Sequence, residues 1–313
     1  MPLTLTPASR RSAAVSAALS LTMLLGACSA ANTPGADSAA GDAATPPESS
    51  EKVAGVSHVH ALDLDETTGF VHVATHTGLL LAPMPHDGET VSAAMPLGDW
   101  RGDAMGFVRV GDRLYVSGHP AHDEDAPPVI GLRASDLTGD EWTTIGLDGE
   151  VDFHALTAGG TSKAEILIAG LDSVSGRVLV SPNDGEGWQE GATLAARSLA
   201  FDDDAATLFA TSARGLLAST DRGRTFSPVV DAPSLVLLAS SPVGATTFLM
   251  AGVDIDGALH LSTDGLTWEA AGELPFLPEA IAVGEQGALA IADTREVAHS
   301  VDRGANWNTI VRF

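Results

Sequence analysis

The residues best suited to chemistry are histidines. Ten occur in the 313-residue chain, and those with the most suggestive spacing fall in its first half. His58-x-His60 delivers two imidazoles to one side of an extended strand, because successive side chains alternate faces. His76, His119 and His154 follow at wider intervals. Neutral imidazole is a ligand for zinc or copper, and a catalytic zinc takes three protein ligands while keeping one position open. Met105 beside such a group favours copper, since thioethers are soft donors. Asp103 or Asp152 could orient an imidazole by hydrogen bonding. Two other readings stand beside the metal. The rings could bond backbone groups around a polar channel, or uncharged imidazoles could hold an organic ligand or a peptide. All of these require side chains spread over about a hundred residues to meet.

What could gather them is a repeated unit. "SPNDGEGW", residues 181–188, has relatives downstream. Ser219-x-Asp221-x-Gly223-x-x-Phe226 and Ser300-x-Asp302-x-Gly304-x-x-Trp307 keep its spacing, with Asn183 in the aspartate position of the first copy. The version from Ser262 through Asp264 and Gly265 to Trp268 is one residue shorter, and Ser135…Gly139…Trp142 has its acid displaced to Asp136. The closing aromatics at 142, 188, 226, 268 and 307 give a period near forty, the size expected of propellers or solenoids. A short carboxylate that accepts backbone N–H groups and a glycine free to take positive φ are hairpin-turn chemistry. These segments resemble the Asp-box, or BNR repeat, of sialidase-type and sortilin-type β-propellers. That resemblance implies turns between the third and fourth strands of each blade, away from any ligand funnel. The repeats are therefore architecture, not active site.

The unit from 197 to 230 has the clearest grammar: "RSLAF", "TLFATS", "GLLAST", the turn, then "FSPVV". Short β-rich runs divided by Asp, Gly and Ser are hairpin signals, and no amphipathic helix interrupts them. Units begin near 56, 104, 153, 197, 235 and 279, and the first supplies four strands without the turn motif. The expected fold is an all-β propeller of six four-stranded blades, or seven if the preceding segment adds a strand. In such a ring the start of each innermost strand and the end of the second strand open on one face. His58 and His60, His76, His119 and His154 then face one funnel. His154 aligns with His60, and Met105 takes the position between them. His72, His86, His122, His260 and His299 fall elsewhere and look incidental.

"HVHAL", "ATHTGL", "AMGF", "YVSGHP" and "EVDFHAL" together resemble a group of actinobacterial lipoprotein propellers, from about residue 56 onward. That group carries the label of BNR-repeat or sialidase-like glycosyl hydrolases. Similarity to sortilin-type and photosystem-assembly propellers implies instead the binding of a protein partner. The residues disfavour a sialidase. Such enzymes use a three-arginine clamp and a Tyr–Glu pair, whereas the only tyrosine is Tyr115, inside strand-like "RLYVSG". Arg222, Arg224 and Arg303 sit in the repeated turns. Arg197, Arg214 and Arg295 could lie nearer the funnel, but in the wrong half. Another glycosidase needs only two carboxylates flanking a pocket, for which Asp63, Asp103 and Asp152 are the first to test. The leading expectation is a non-catalytic propeller that binds a metal, a glycan or a protein partner, with glycoside hydrolysis as the alternative.

The start of the chain reads as an address. Arg10 and Arg11 precede an apolar stretch from Ala13 to Leu25, shorter than the ~20 residues a spanning helix needs. Leu25-Gly26-Ala27-Cys28 resembles a bacterial lipobox, which implies cleavage after residue 27 and a lipid on Cys28, the chain's one cysteine. Residues 28–52, small, acidic and proline-rich, read as a disordered tether, and 53–313 as a single propeller domain. The expected location is the outer face of the cytoplasmic membrane. A formal net charge of −25 argues against nucleic acid as a partner.

Overall fold

Consecutive hairpins build six sheets, each of four antiparallel strands drawn from one contiguous stretch of chain. The structure is a computed structural model that describes residues 56–84, 93–162 and 165–313. The expected signal segment, Cys28, the tether and His86 lie outside the described residues. Blade 1 comprises β1 (Val59–Asp65), β2 (Phe70–Thr75), β3 (Gly78–Pro83) and β4 (Met95–Pro96). Blade 2 comprises β5 (Asp103–Val110), β6 (Arg113–His119), β7 (Leu132–Asp136) and β8 (Thr143–Gly146). Blade 3 runs through β9 (Phe153–Ser162), β10 (Glu165–Asp172), β11 (Arg177–Ser181) and β12 (Gln189–Thr193). Blade 4 is β13 (Ala196–Phe201), β14 (Leu208–Ser212), β15 (Gly215–Ser219) and β16 (Ser227–Pro228). Blade 5 is β17 (Leu235–Ser240), β18 (Met250–Asp254), β19 (Ala258–Ser262) and β20 (Glu269–Glu273). Blade 6 is β21 (Ala280–Val283), β22 (Leu289–Ala292), β23 (Glu296–Ser300) and β24 (Asn308–Arg312). The described residues contain no helix. The fold is a six-bladed β-propeller, and no seventh sheet occurs among the described residues.

Burial follows from the ring. Inner strands lie between two neighbouring sheets, so they read as unbroken apolar runs rather than alternating ones. "AIAV" of β21 and "LAIA" of β22 are buried at every position. Outer strands face water: β20 is largely exposed, and β4 and β16 shrink to two residues that include a proline. Proline lacks the ladder donor and is tolerated at a sheet edge. The core is accordingly a series of layers between blades. Ala74 and Leu79 of blade 1 meet Phe107 and Leu114 of blade 2 in one such layer. Blade 6 meets blade 1 through Ala290, Ala292 and Ile310 packed with Val59, Leu64 and Val73.

The repeated turns seat each blade on the one before. Ser219 Oγ accepts the Gly223 N–H at 2.9 Å and donates to Asp221 Oδ1, which accepts the Thr225 N–H at 2.9 Å. Trp268 closes its turn by donating Nε1–H to the Gly265 carbonyl at 3.0 Å. Gly265 itself has φ +71°, and a Cβ there would stand 2.3 Å from Phe209 of blade 4. Gly304, at φ +86°, meets Leu259 of blade 5 in the same way. These glycines serve twice, since only they accept the left-handed backbone and the close approach of the neighbouring blade. The turns are structural, as their local chemistry implied. Tyr115 is buried, and its hydroxyl donates to the Asp184 carboxylate.

Candidate metal centre

Five of the six innermost strands share a small irregularity near their starts. Pairing between β1 and β2 skips His60, and pairing between β5 and β6 skips Met105. The β9–β10 ladder skips His154, β13 skips Arg197 and Ser198, and β17 skips Val236. A bulge leaves a residue out of the ladder and re-aims its side chain. Here it directs side chains at the mouth of a central cavity of about 590 Å³. His58, His60, His76, Met105, His154 and Arg197 are among its lining residues. Phe107, Leu156, Leu199 and Leu238 line it as well, together with the Asp63–Arg109 pair.

Three donor atoms converge at this mouth. His60 Nε2 lies 3.2 Å from His76 Nδ1, and Asp103 Oδ1 lies 3.3 Å from the first and 3.0 Å from the second. A tetrahedral ion with bonds of about 2.0–2.1 Å needs donor–donor edges of roughly 3.3 Å. The triangle has nearly those edges. Protons cannot satisfy all three. A ring nitrogen of neutral imidazole carries either one N–H or one lone pair. If His60 donates to His76, then His76 Nδ1 has no proton to give Asp103. If both donate to Asp103, their own close edge sets two N–H groups against each other. With Asp103 ionised, each of these assignments leaves one unfavourable edge, and the buried Asp103 Oδ1 has no well-aligned hydrogen-bond partner. A cation makes all three edges favourable at once.

Asp103 is electrostatically ready for that role. Burial pushes its carboxyl up, but the imidazoles of His60 and His76 outweigh this and bring it down to about 2. Its Oδ1 is one corner of the donor triangle with His60 and His76. The same residue extends the cluster: Oδ2 faces His119 Nδ1 at 3.4 Å. His119 Nε2 in turn faces Asp152 Oδ2 at 3.8 Å, and His154 Nε2 bonds that oxygen at 2.8 Å. Burial also opposes ionisation of Asp152, yet its carboxyl stays below the usual range because His154 bonds to it. The same bond raises His154.

Four of the five histidines singled out by sequence thus form one chain with two carboxylates, across three blades. His58 stands apart. It stacks on His60 with ring centroids 4.6 Å apart and turns Nδ1 toward Glu279, 3.8 Å away. Burial is the main influence holding His58 below an ordinary imidazole. Glu279 is a member of the mouth that spacing did not reveal, and Arg197, one of the arginines expected nearer the funnel, lines it too. Glu279 accepts the Val59 N–H across the junction of blades 6 and 1, and Arg197 donates to the Glu279 carbonyl at 3.3 Å. Of the remaining histidines, His260 bonds Asp254 at 2.7 Å within blade 5. His72 is buried beside Asp63, and His299 is half-buried on β23. Asp63, the third carboxylate considered for hydrolysis, is paired with Arg109.

Fold and mouth together define a class: a six-bladed β-propeller with an imidazole–carboxylate cluster on one face of its channel. No family model and no curated protein matches the chain. Among solved structures it is similar to the GH74 xyloglucanase from Xanthomonas campestris, at TM-score 0.50 and 17% identity over 83% of this chain and 46% of that one. It is also similar to a chain of the nidogen/laminin complex, at TM-score 0.56 and 15% identity over 81% and 93% of the two chains. A GH74 enzyme from Niastella koreensis gives TM-score 0.50 and 13% identity over 82% and 55%. The chain spans about half the length of the xyloglucanase. At such identities the likeness concerns the fold alone.

Proposed function

We propose that this chain is an exported propeller that binds a transition-metal ion, zinc or copper, at the mouth of its channel. His60 Nε2, His76 Nδ1 and Asp103 Oδ1 are the ligands. The observation that carries this reading is the triangle of donor atoms with edges of 3.0–3.3 Å, which protons cannot satisfy and a cation can. Three protein donors leave a further coordination position for water or an exogenous ligand. Imidazole and carboxylate donors suit zinc or copper, and Met105 in the cavity wall adds a soft group that favours copper. Attachment to the outer face of the membrane through a lipid on Cys28 rests on the "LGAC" stretch, and the BNR-repeat assignment rests on the turn motifs. Both belong to this reading.

The hydrolase alternative has weaker support. A glycosidase needs one carboxyl that holds its proton near neutral pH to protonate the leaving group. Asp103 and Asp152, the two acids of the histidine cluster, both shift the other way. The test is equilibrium titration of metal-stripped, untagged protein with Zn²⁺ and with Cu²⁺. Submicromolar binding is expected, weakened at least 100-fold in His60→Ala and His76→Ala and unchanged in His299→Ala. Equal affinity in all four proteins would overturn the proposal. Loss of the chain from the membrane fraction in Cys28→Ala tests the anchor.

A further inference from the structure

The channel wall carries a second pattern. Two residues along each strand from the position that its ladder skips stand Leu62, Phe107, Leu156, Leu199 and Leu238, and all five line the cavity. Side chains two apart share a face, so an apolar belt lies one step along the channel from the imidazoles, Met105 and Arg197. Further along, Asp63 and Arg109 pair with each other, and Asp65 approaches Arg109 to 3.7 Å. That end has no positive charge to spare. At the mouth the Glu279 carboxylate is already committed to the Val59 N–H, at 2.8 Å. Arg197 is exposed, and among the described residues its one hydrogen bond is to the Glu279 carbonyl at 3.3 Å. Asp152 sits behind His154, bonded to it. The charges of Glu279 and Arg197 offset one another, so a divalent ion held by the single carboxylate of Asp103 leaves one positive charge in excess.

We propose that the cavity takes a small apolar monocarboxylate, its head on the ion's remaining position and its hydrocarbon body along the belt. This rests on the metal at His60, His76 and Asp103 and names the ligand that joins it. His60 and His76 line the cavity while Asp103 stands behind them, so the free position of the ion opens on the cavity. One carboxylate oxygen meets the ion, and the other faces the guanidinium of Arg197. In a chain of formal net charge −25 an anion is held only where cations gather, and this mouth is such a place. The single charge in excess matches one acid group. A second acid group at the far end would meet Asp63 and Asp65. An ammonium head would be repelled by the ion, and an alcohol would gain the belt without the charge. The cavity, about 590 Å³, falls within the roughly 300–1,000 Å³ of small-molecule pockets.

Isothermal titration of the Zn²⁺-loaded, untagged full chain with butyrate, hexanoate, octanoate, hexanol and hexylamine tests this. Affinity should rise about fourfold for each methylene added to the acid, and hexanol and hexylamine should bind roughly 10-fold more weakly than hexanoate. Stripping the metal, or Arg197→Gln in the loaded chain, should each weaken hexanoate about 10-fold. Leu156 is half-buried, and Leu156→Gln should flatten the dependence on chain length while Zn²⁺ affinity and thermal melting stay as in the parent. In the Cu²⁺-loaded chain hexanoate should shift the visible absorption band and hexanol should not, because only the acid enters the coordination of the ion. Zn²⁺ binding as expected, with hexanoate no tighter than hexanol, overturns this ligand and spares the metal. Equal hexanoate affinity with and without the ion overturns the coordination, and an affinity independent of chain length overturns the role of the belt. Failure of Zn²⁺ itself to bind removes both readings.

Discussion

Blades 1 to 3 and blades 4 to 6 use one strand plan and fill its bulged position differently. In the first half the residues out of register are His60, Met105 and His154. In the second they are Arg197 with Ser198 and then Val236, while β21 pairs without a shift. The backbone irregularity thus recurs in five of the six blades, and the side chain placed on it decides what each of those sectors can do. One half gathers lone pairs around buried carboxylates. The other packs apolar groups and spans the mouth with a guanidinium on a backbone carbonyl. Binding and closure are divided between halves of a common scaffold.

The contrast can be broken most severely from the first half. Removing His60 and His76 together should eliminate Zn²⁺ or Cu²⁺ binding at the site they form with Asp103, while His260→Ala in the second half leaves it intact; isothermal titration checks both. In the second half the largest effect should come from a turn. Gly265→Ala forces a Cβ against Phe209 at positive φ, and about 3 kcal/mol of stability should be lost in chemical denaturation with metal affinity unchanged. Glu279→Ala removes the carboxylate that receives the Val59 N–H, and should cost about 1–2 kcal/mol by the same measurement.

A smaller effect separates the histidines by sign. Hydrogen bonding to Asp152 raises His154, so in metal-free protein its contribution to stability is complete below about pH 6.5 and fades as pH climbs through the raised value. Burial lowers His72 and His299, so theirs is present above about pH 6.5 and is lost as pH falls toward the lowered values. Proton NMR titration should show His154 protonating before His72 and His299 on acidification. Denaturation midpoints of His154→Ala and His299→Gln should diverge from the parent on opposite sides of that range.

The ring was legible because hairpin turns leave local traces. Ser262, Asp264, Gly265 and Trp268 each make a bond or contact with residues a few positions away. Blade 1 shows that the strand pattern suffices without that trace. The gathering of His60, His76, His119 and His154 was also legible, since alternation and blade alignment determine which end of a strand a residue occupies. What spacing could not reveal was the bulge that turns His60 out of the ladder, because no residue type marks it. Nor could it show that Asp103 would be a donor with both oxygens engaged, or that His58 would lean toward Glu279. Those outcomes depend on distances between blades, and a local pattern does not carry them.

One feature of the ring reaches further. Among the described residues no sheet borrows a strand from another stretch of chain; blade 6 adjoins blade 1 through side chains and a few bonds, such as Gln286 N–H to Glu66 at 2.7 Å. The described part of the toroid therefore has no threaded latch. Insertion or excision of one whole forty-residue segment leaves every hydrogen-bonded ladder whole, and only curvature must readjust. Variation by duplication meets no topological barrier here, which suits a scaffold whose sectors can be re-equipped one at a time.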